Sequence, residues 1–193
     1  MENEIIEISL SGRGGQTAVT ASQLLAKFAY ESGFQDVFCI PIIGAERRGA
    51  PIKAFTKLSR KNQIKTYDSV VNPDYMLIFD ITLLEIPRIR DSIPPGTTLI
   101  VNNDKPINTE KLPDDLKIYL VDATGICIDH DFMISSGPIL NVPMLGAFGK
   151  VTGFYDLKTM DKVLTEEFGE KRSELNMKVA TAAFNNVEEM KYE

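Results

Sequence analysis

The residues best suited to chemistry in this sequence fall in two glycine-bounded segments. The first is Ser11-Gly12-Arg13-Gly14-Gly15-Gln16. It follows an alternating apolar stretch and precedes one with helical spacing. Several backbone N–H groups would therefore gather at the positive end of a helix, an arrangement that favours phosphate oxygens. Arg13 inside the turn would add a charge-assisted donor. A dinucleotide fingerprint needs a third glycine where Thr17 stands, so that match is incomplete. The same residues also suit a purely structural strand-to-helix turn.

The second segment is Gly44-Ala45-Glu46-Arg47-Arg48-Gly49-Ala50-Pro51. Two arginines offer planar donor forks that match a phosphate or a carboxylate. In extended chain adjacent side chains point to opposite sides. One arginine would then reach a ligand and the other pair with Glu46 or a partner chain, and a salt-bridged loop is the plain alternative. Cys127-Ile128-Asp129-His130-Asp131 has metal-ligating types, but His130 is the only histidine of the chain. Nothing nearby specifies the base and oxyanion hole a thiol nucleophile needs, so a structural or loop role is expected. Cys39, between Phe38 and Ile40, reads as a small core residue. No phosphate-loop lysine motif, His-Glu-x-x-His pair or Gly-x-Ser-x-Gly elbow is present.

These segments need elements to hold them. Ile6, Ile8 and Leu10 alternate with Glu7 and Ser9, which predicts a strand over Glu4–Leu10. Ala18, Ala21, Leu25, Phe28 and Ala29 predict a helix from Thr17 to about Ser32, stopped at Gly33. Further strands are expected at Asp36–Ile43, Ile52–Leu58, Tyr75–Phe79, Thr98–Val101 and Ile118–Val121. The last three are near-continuous apolar runs, the mark of strands buried on both faces of a parallel sheet. The short link between Asp36–Ile43 and Ile52–Leu58 allows those two to pair antiparallel. Thr82–Ser92 reads as a short helix interrupted at Pro87, and Ser135-Ser136-Gly137-Pro138 as a helix start. Helical stripes cover Pro138–Phe148, Asp156–Phe168 and Arg172–Phe184. The expected fold is one three-layer α/β domain over residues 1–193, with a mostly parallel sheet, a Rossmann-like first turn and an antiparallel edge.

Composition narrows the function. The 193 residues are 44% hydrophobic and 25% charged, an ordinary globular balance. Two cysteines cannot hold a four-thiolate cluster. The acidic start Met1-Glu2-Asn3-Glu4 lacks the positive region of a signal peptide, and no apolar run approaches the ~20 residues of a membrane span. A cytoplasmic protein without membrane or nucleic-acid partners is expected, because the net charge is −6. Between Pro41 and Lys65, however, Arg47, Arg48, Lys53, Lys57, Arg60, Lys61 and Lys65 face only Glu46. A local cationic stretch on an acidic chain fits an anionic ligand or partner met at one face, or else a solvated strand edge. The chain reads as an anion cradle without a complete catalytic apparatus, hence as part of something larger.

Four segments in order carry a family resemblance: Gly12-Arg13-Gly14-Gly15-Gln16 with Ala18-Val19-Thr20-Ala21; Gly44 to Pro51; Asn72-Pro73-Asp74 with the strand ending at Asp80; and Asn141-Val142-Pro143-Met144-Leu145-Gly146-Ala147. Together they span residues 5 to about 150. They resemble the gamma subunit of 2-oxoacid:ferredoxin oxidoreductases, the pyruvate type most closely, with Thr17 where that family has glycine. The resemblance implies oxidative decarboxylation of a 2-oxoacid with coenzyme A, giving acyl-CoA, carbon dioxide and reduced ferredoxin. Thiamine diphosphate, magnesium and [4Fe–4S] clusters would sit on alpha, beta and delta-type partner subunits, and this chain would be inactive alone. Gly12, Arg13, Gly14, Gly15, Gln16, Glu46, Arg47, Arg48 and Gly49 would face the shared coenzyme A site. An assembly subunit without ligand contact, or a stand-alone nucleotide-binding protein, are the alternatives.

Overall fold

The computed structural model describes residues 5–42 and 48–191. Alternation of apolar and polar residues starts β1, Ile5–Arg13, which leads through a four-residue turn into helix α1, Ala18–Glu31. Edge strand β2, Asp36–Pro41, and β3, Pro51–Ser59, follow. Then come β4, Tyr75–Ile78; a 3-10 turn, Ile81–Glu85; the short helix α2, Pro87–Arg90; β5, Thr98–Asn102; and β6, Lys117–Val121. Helix α3, Ala123–Asp129, precedes a small hairpin of β7, Met133–Ile134, and β8, Gly137–Pro138. Helices α4, Asn141–Thr152, α5, Leu157–Phe168, and α6, Glu170–Asn186, lead to β9, Glu188–Glu189.

The main sheet runs β2-β3-β1-β4-β5-β6-β9. Strands β1, β4, β5 and β6 pair in parallel, as their apolar runs predicted. The short link from β2 to β3 does give an antiparallel pair, and β3 then lies antiparallel to β1, from Ile5 opposite Ser59 to Arg13 opposite Pro51. β1 continues three residues past its expected end at Leu10, into the expected turn, because β3 supplies ladder partners for Ser11, Gly12 and Arg13.

The two faces of the sheet are covered unequally. One carries Ile8, Leu10, Leu58, Leu77, Phe79 and Ile100 against the long helices. The other carries Met76, Ile78, Leu99, Val101 and Ile118 and is closed by Ile93, Leu112 and Leu116, from loops and short turns. α4 lies at the centre of the helical layer, with every residue from Asn141 to Gly149 buried. A helix apolar all round is a core helix. This explains the Asn141–Ala147 segment structurally. A Cβ on Gly146 would sit 2.4 Å from the Ala180 carbonyl oxygen, and one on Gly149 2.7 Å from the Tyr155 ring. Gly146 lets α4 approach α6 closely, and Gly149 makes room for the Tyr155 ring.

Three local expectations change. Ser135-Ser136-Gly137-Pro138 forms the tip and return strand of the β7–β8 hairpin instead of a helix start, since Gly137 has φ of 128°. α4 begins at Asn141. α3 was not expected; it is short and is started by Asp122, whose carboxylate accepts from the Gly125 amide at 2.7 Å.

The cationic stretch does not form one face. Lys57, 2% exposed, pairs with Glu7 and Asp68, each at 3.1 Å. Burial alone would lower its pKa, but hydrogen bonds and charge from the two carboxylates raise it overall. The Arg60 guanidinium lies 4.1 Å from the centre of the Phe34 ring, a cation–π contact. No helix among the described residues is long and apolar enough to cross a membrane.

Gly146→Ala tests the closeness of the α4–α6 contact. Helix propensity alone would favour alanine by about 1 kcal/mol, but the clash with Ala180 should reverse this to a loss of roughly 1–3 kcal/mol. Urea unfolding measures it, and a stabilised variant would refute the close approach.

Candidate functional site

The carboxyl ends of the parallel strands, where helix α1 and the 3-10 turn leave the sheet on opposite sides, form its topological switch point. Crevices of this kind bind ligands in open α/β sheets. Here the glycine turn, the anchor of the arginine loop and the end of β4 meet.

Arg13, the last residue of β1, joins them. Its Nε donates to Asp80 Oδ2 at 3.0 Å, Nη1 to the Gly49 carbonyl at 3.1 Å and Nη2 to Thr82 Oγ1 at 2.6 Å. Gln16 closes the turn: its Oε1 accepts from the Arg13 amide at 2.7 Å, and its Nε2 donates to Asp80 Oδ2 at 3.3 Å. Asp80 also caps the 3-10 turn, accepting from the Thr82 amide at 3.0 Å and hydroxyl at 2.6 Å. Two backbone bonds complete the join, Gly14 N to Ala50 O at 2.8 Å and Gly49 N to Gly14 O at 3.2 Å.

The glycines have separate tasks. Gly12 is buried, and a Cβ there would lie 3.2 Å from that of Ala18 and 3.3 Å from that of Phe79, so it allows α1 to sit close to the sheet. Gly15 and Gly49 have φ of 100° and 84°, which side chains resist. Thr17 has φ of 61° despite its branched side chain. Its Oγ1 accepts from the Asn141 amide at 3.0 Å, linking the turn to the start of α4. Thr17 thus gives the backbone shape a glycine would give and adds a contact a glycine lacks. α1 itself begins without a side-chain cap.

Arg48 is exposed, one residue before the hydrogen-bonded Gly49. Glu46 and Arg47 lie outside the described residues. On the opposite side of Asp80, a cavity of about 460 Å³ is lined by Gln16, Asn102, Asp104, Asp122 and others. Its three carboxylates, counting Asp80, disfavour an anion.

Residue types did not show that Asp80, the end of a family segment, and Thr82 would partner Arg13. The available signal was an aspartate directly after the apolar run Tyr75–Phe79. Asp74, at the other end of that run, is structural. Its carboxylate accepts from the Glu7 amide at 2.8 Å, and its amide donates back to the Glu7 carbonyl at 2.8 Å. Asn102 ties β5 to its neighbours by donating to the Phe79 carbonyl and to Thr124 Oγ1, each at 2.9 Å. Cys127 is buried, with burial pushing its thiol up to about 12, and it faces the Ile139 carbonyl at 3.4 Å. Such a thiol is inert. Among the described residues no three His, Cys, Asp or Glu side chains converge to hold a metal ion.

The Arg13–Asp80 pair has a pH signature. Burial would raise the Asp80 pKa, but the Thr82 hydrogen bonds, the Arg13 charge and Gln16 outweigh it, and the net direction is down. A carboxylate with a depressed folded pKa gives stability that is present above the unfolded value near 3.9 and lost as pH falls through the folded one. Asp80→Asn should cost roughly 1–3 kcal/mol at neutral pH, and the difference from the parent should shrink below about pH 4. Chemical denaturation at several pH values measures this; a pH-independent difference would refute the charged role.

Similarity to known proteins gives the family. Residues 7–186 match the family model for pyruvate ferredoxin/flavodoxin oxidoreductase. The pyruvate synthase subunit PorC of Methanocaldococcus jannaschii is 38% identical over 185 residues, covering 95% of this chain and 97% of that one. The pyruvate/ketoisovalerate oxidoreductases common subunit gamma of Thermococcus kodakarensis is 38% identical over 186 residues, covering 94% and 96%. The crystal structure of pyruvate oxidoreductase subunit PORC from Thermotoga maritima superposes with a TM-score of 0.82 at 32% identity, over 98% of this chain and 100% of that one. Sequence and fold together show that the chain belongs to the pyruvate ferredoxin/flavodoxin oxidoreductase family, as a gamma subunit.

Proposed function

We propose that this gamma subunit holds coenzyme A at a site shared with companion chains of a cytoplasmic 2-oxoacid:ferredoxin oxidoreductase acting on pyruvate. The observation that carries the reading is the join of the glycine turn to the arginine loop at Gly14, Gly49 and Ala50. In this reading the exposed Arg48, one residue before the hydrogen-bonded Gly49, works together with backbone amides at the uncapped start of α1. Phosphate groups are favoured there by amide dipoles and by guanidinium hydrogen bonds together.

In this reading Arg48, with Arg47, contacts coenzyme A phosphates, and Glu46 orients one of the pair. Gly15 presents its backbone amide, while Gly14, whose amide is engaged with the Ala50 carbonyl, holds the turn against the arginine loop. Arg13 and Gln16 are positioning residues, because their polar atoms are engaged with Asp80, Thr82 and Gly49. Gly12 serves through helix packing. Thiamine diphosphate, magnesium and iron–sulfur clusters on alpha, beta and delta-type subunits supply the decarboxylation and carry electrons to ferredoxin. This chain brings the acyl acceptor to that centre and steers its negative charge.

A second reading is an assembly subunit without ligand contact. The Asp74 and Asn141–Ala147 segments favour it, since both serve the fold. Arg47→Ala and Arg48→Ala, made separately in the assembled complex, distinguish the two. A lost charge-assisted contact should raise the KM for coenzyme A by about tenfold or more with kcat and assembly kept. Dissociation of the subunit would support assembly instead, and an unchanged KM in an intact complex would remove the ligand role.

A further inference from the structure

A second cavity lies on the loop-covered face of the sheet, where the first residues of β3 meet α2. Its volume is about 540 Å³, within the ~300–1,000 Å³ range of small-molecule sites. Ile42, Phe55, Ile86 and Ile89 give it apolar walls, and two cations stand at it, Lys53 of β3 and Arg88 of α2. It shares only Ala50 and Pro51 with the anchor of the arginine loop.

Among the described residues Arg13, Lys27, Lys57, Arg90, Lys105 and Lys162 each find a carboxylate. Exposed lysines such as Lys61 and Lys65 do not, and Lys53 and Arg88 differ from those in standing together at an apolar hollow. Lys53 and Arg88 have none among the described residues; the Lys53 ammonium donates only to the Ser92 hydroxyl, at 3.4 Å. Burial, and then repulsion from Arg88, hold the Lys53 pKa below the ordinary lysine range. A chain with 27 acidic residues against 21 basic ones has left two neighbouring cations uncompensated over an apolar hollow. A half-buried ammonium and a guanidinium fork are together complementary to a carboxylate or phosphate.

We propose that this cavity binds an organic anion, its carboxylate or phosphate head between Lys53 and Arg88 and its apolar body against Phe55, Ile86 and Ile89. The proposal rests on Lys53 and Arg88 and does not depend on the Arg48 contact proposed above. Calorimetric titration of the full chain with sodium octanoate, and with octan-1-ol as the uncharged comparison, tests it. Octanoate should bind at one site about tenfold or more tighter than octan-1-ol, and should weaken when salt is raised to roughly 0.5 M. Lys53→Met and Arg88→Leu should each weaken octanoate about tenfold and leave octan-1-ol unchanged. Arg88 is exposed, so its variant keeps the test sound even if the Lys53 variant folds poorly. Displacement by coenzyme A would identify the head group bound in the complex as one of its phosphates; no displacement would identify a separate carboxylate ligand. Equal binding of acid and alcohol, no binding of octanoate, or indifference to the Arg88 variant would overturn the proposal.

Discussion

The ion pair between Arg13 and Asp80 bridges 67 residues of chain and fixes three connections that would otherwise be independent. A turn rich in glycine has many accessible conformations. Here the guanidinium selects one, because its donors reach Asp80, Thr82 and Gly49 together. Only the strand order makes that possible. β1 lies between β3 and β4, so the end of β1 faces the loop before β3 on one side and the end of β4 on the other.

That order also explains how the positive charge is distributed. β3 runs antiparallel between β2 and β1, and the ladder sets Lys57 directly opposite Glu7. A buried lysine needs such a partner, since desolvation without it would neutralise the group. Asp68 gives it a second carboxylate, in the loop that returns from β3. Lysines and arginines that stand close in sequence thus separate: Lys57 lies between two carboxylates, Arg60 lies on a ring, Arg48 stands next to the join with the glycine turn, and Lys53 lines a different cavity.

The family's ordered segments divide in the same way. The glycine turn and the arginine loop meet at one end of the sheet. Asp74 locks the opposite end, by exchanging hydrogen bonds with Glu7, and Asn141–Ala147 fills the centre of the helical layer. Residues that share a family pattern need not share a site. Asn141–Ala147 serves the close passage of two backbones, as at Gly146 and Ala180.

Periodicity in the sequence alone determined the parallel strands, α1, α5 and α6, because burial on one or two faces is written locally as alternation or continuity, and the short link between β2 and β3 allowed their antiparallel pairing. It also located the glycine turn and the arginine loop. The β7–β8 hairpin and α3 were not legible: Ser135–Pro138 has the composition of a helix start, and α3 is too short to show a period. Asp80, Thr82 and the unpaired state of Lys53 and Arg88 were decided only by tertiary structure. The physical reason is that an ion pair or a hydrogen bond depends on separation in space. Strand order and register set that separation across gaps of tens of residues, where no local pattern records it.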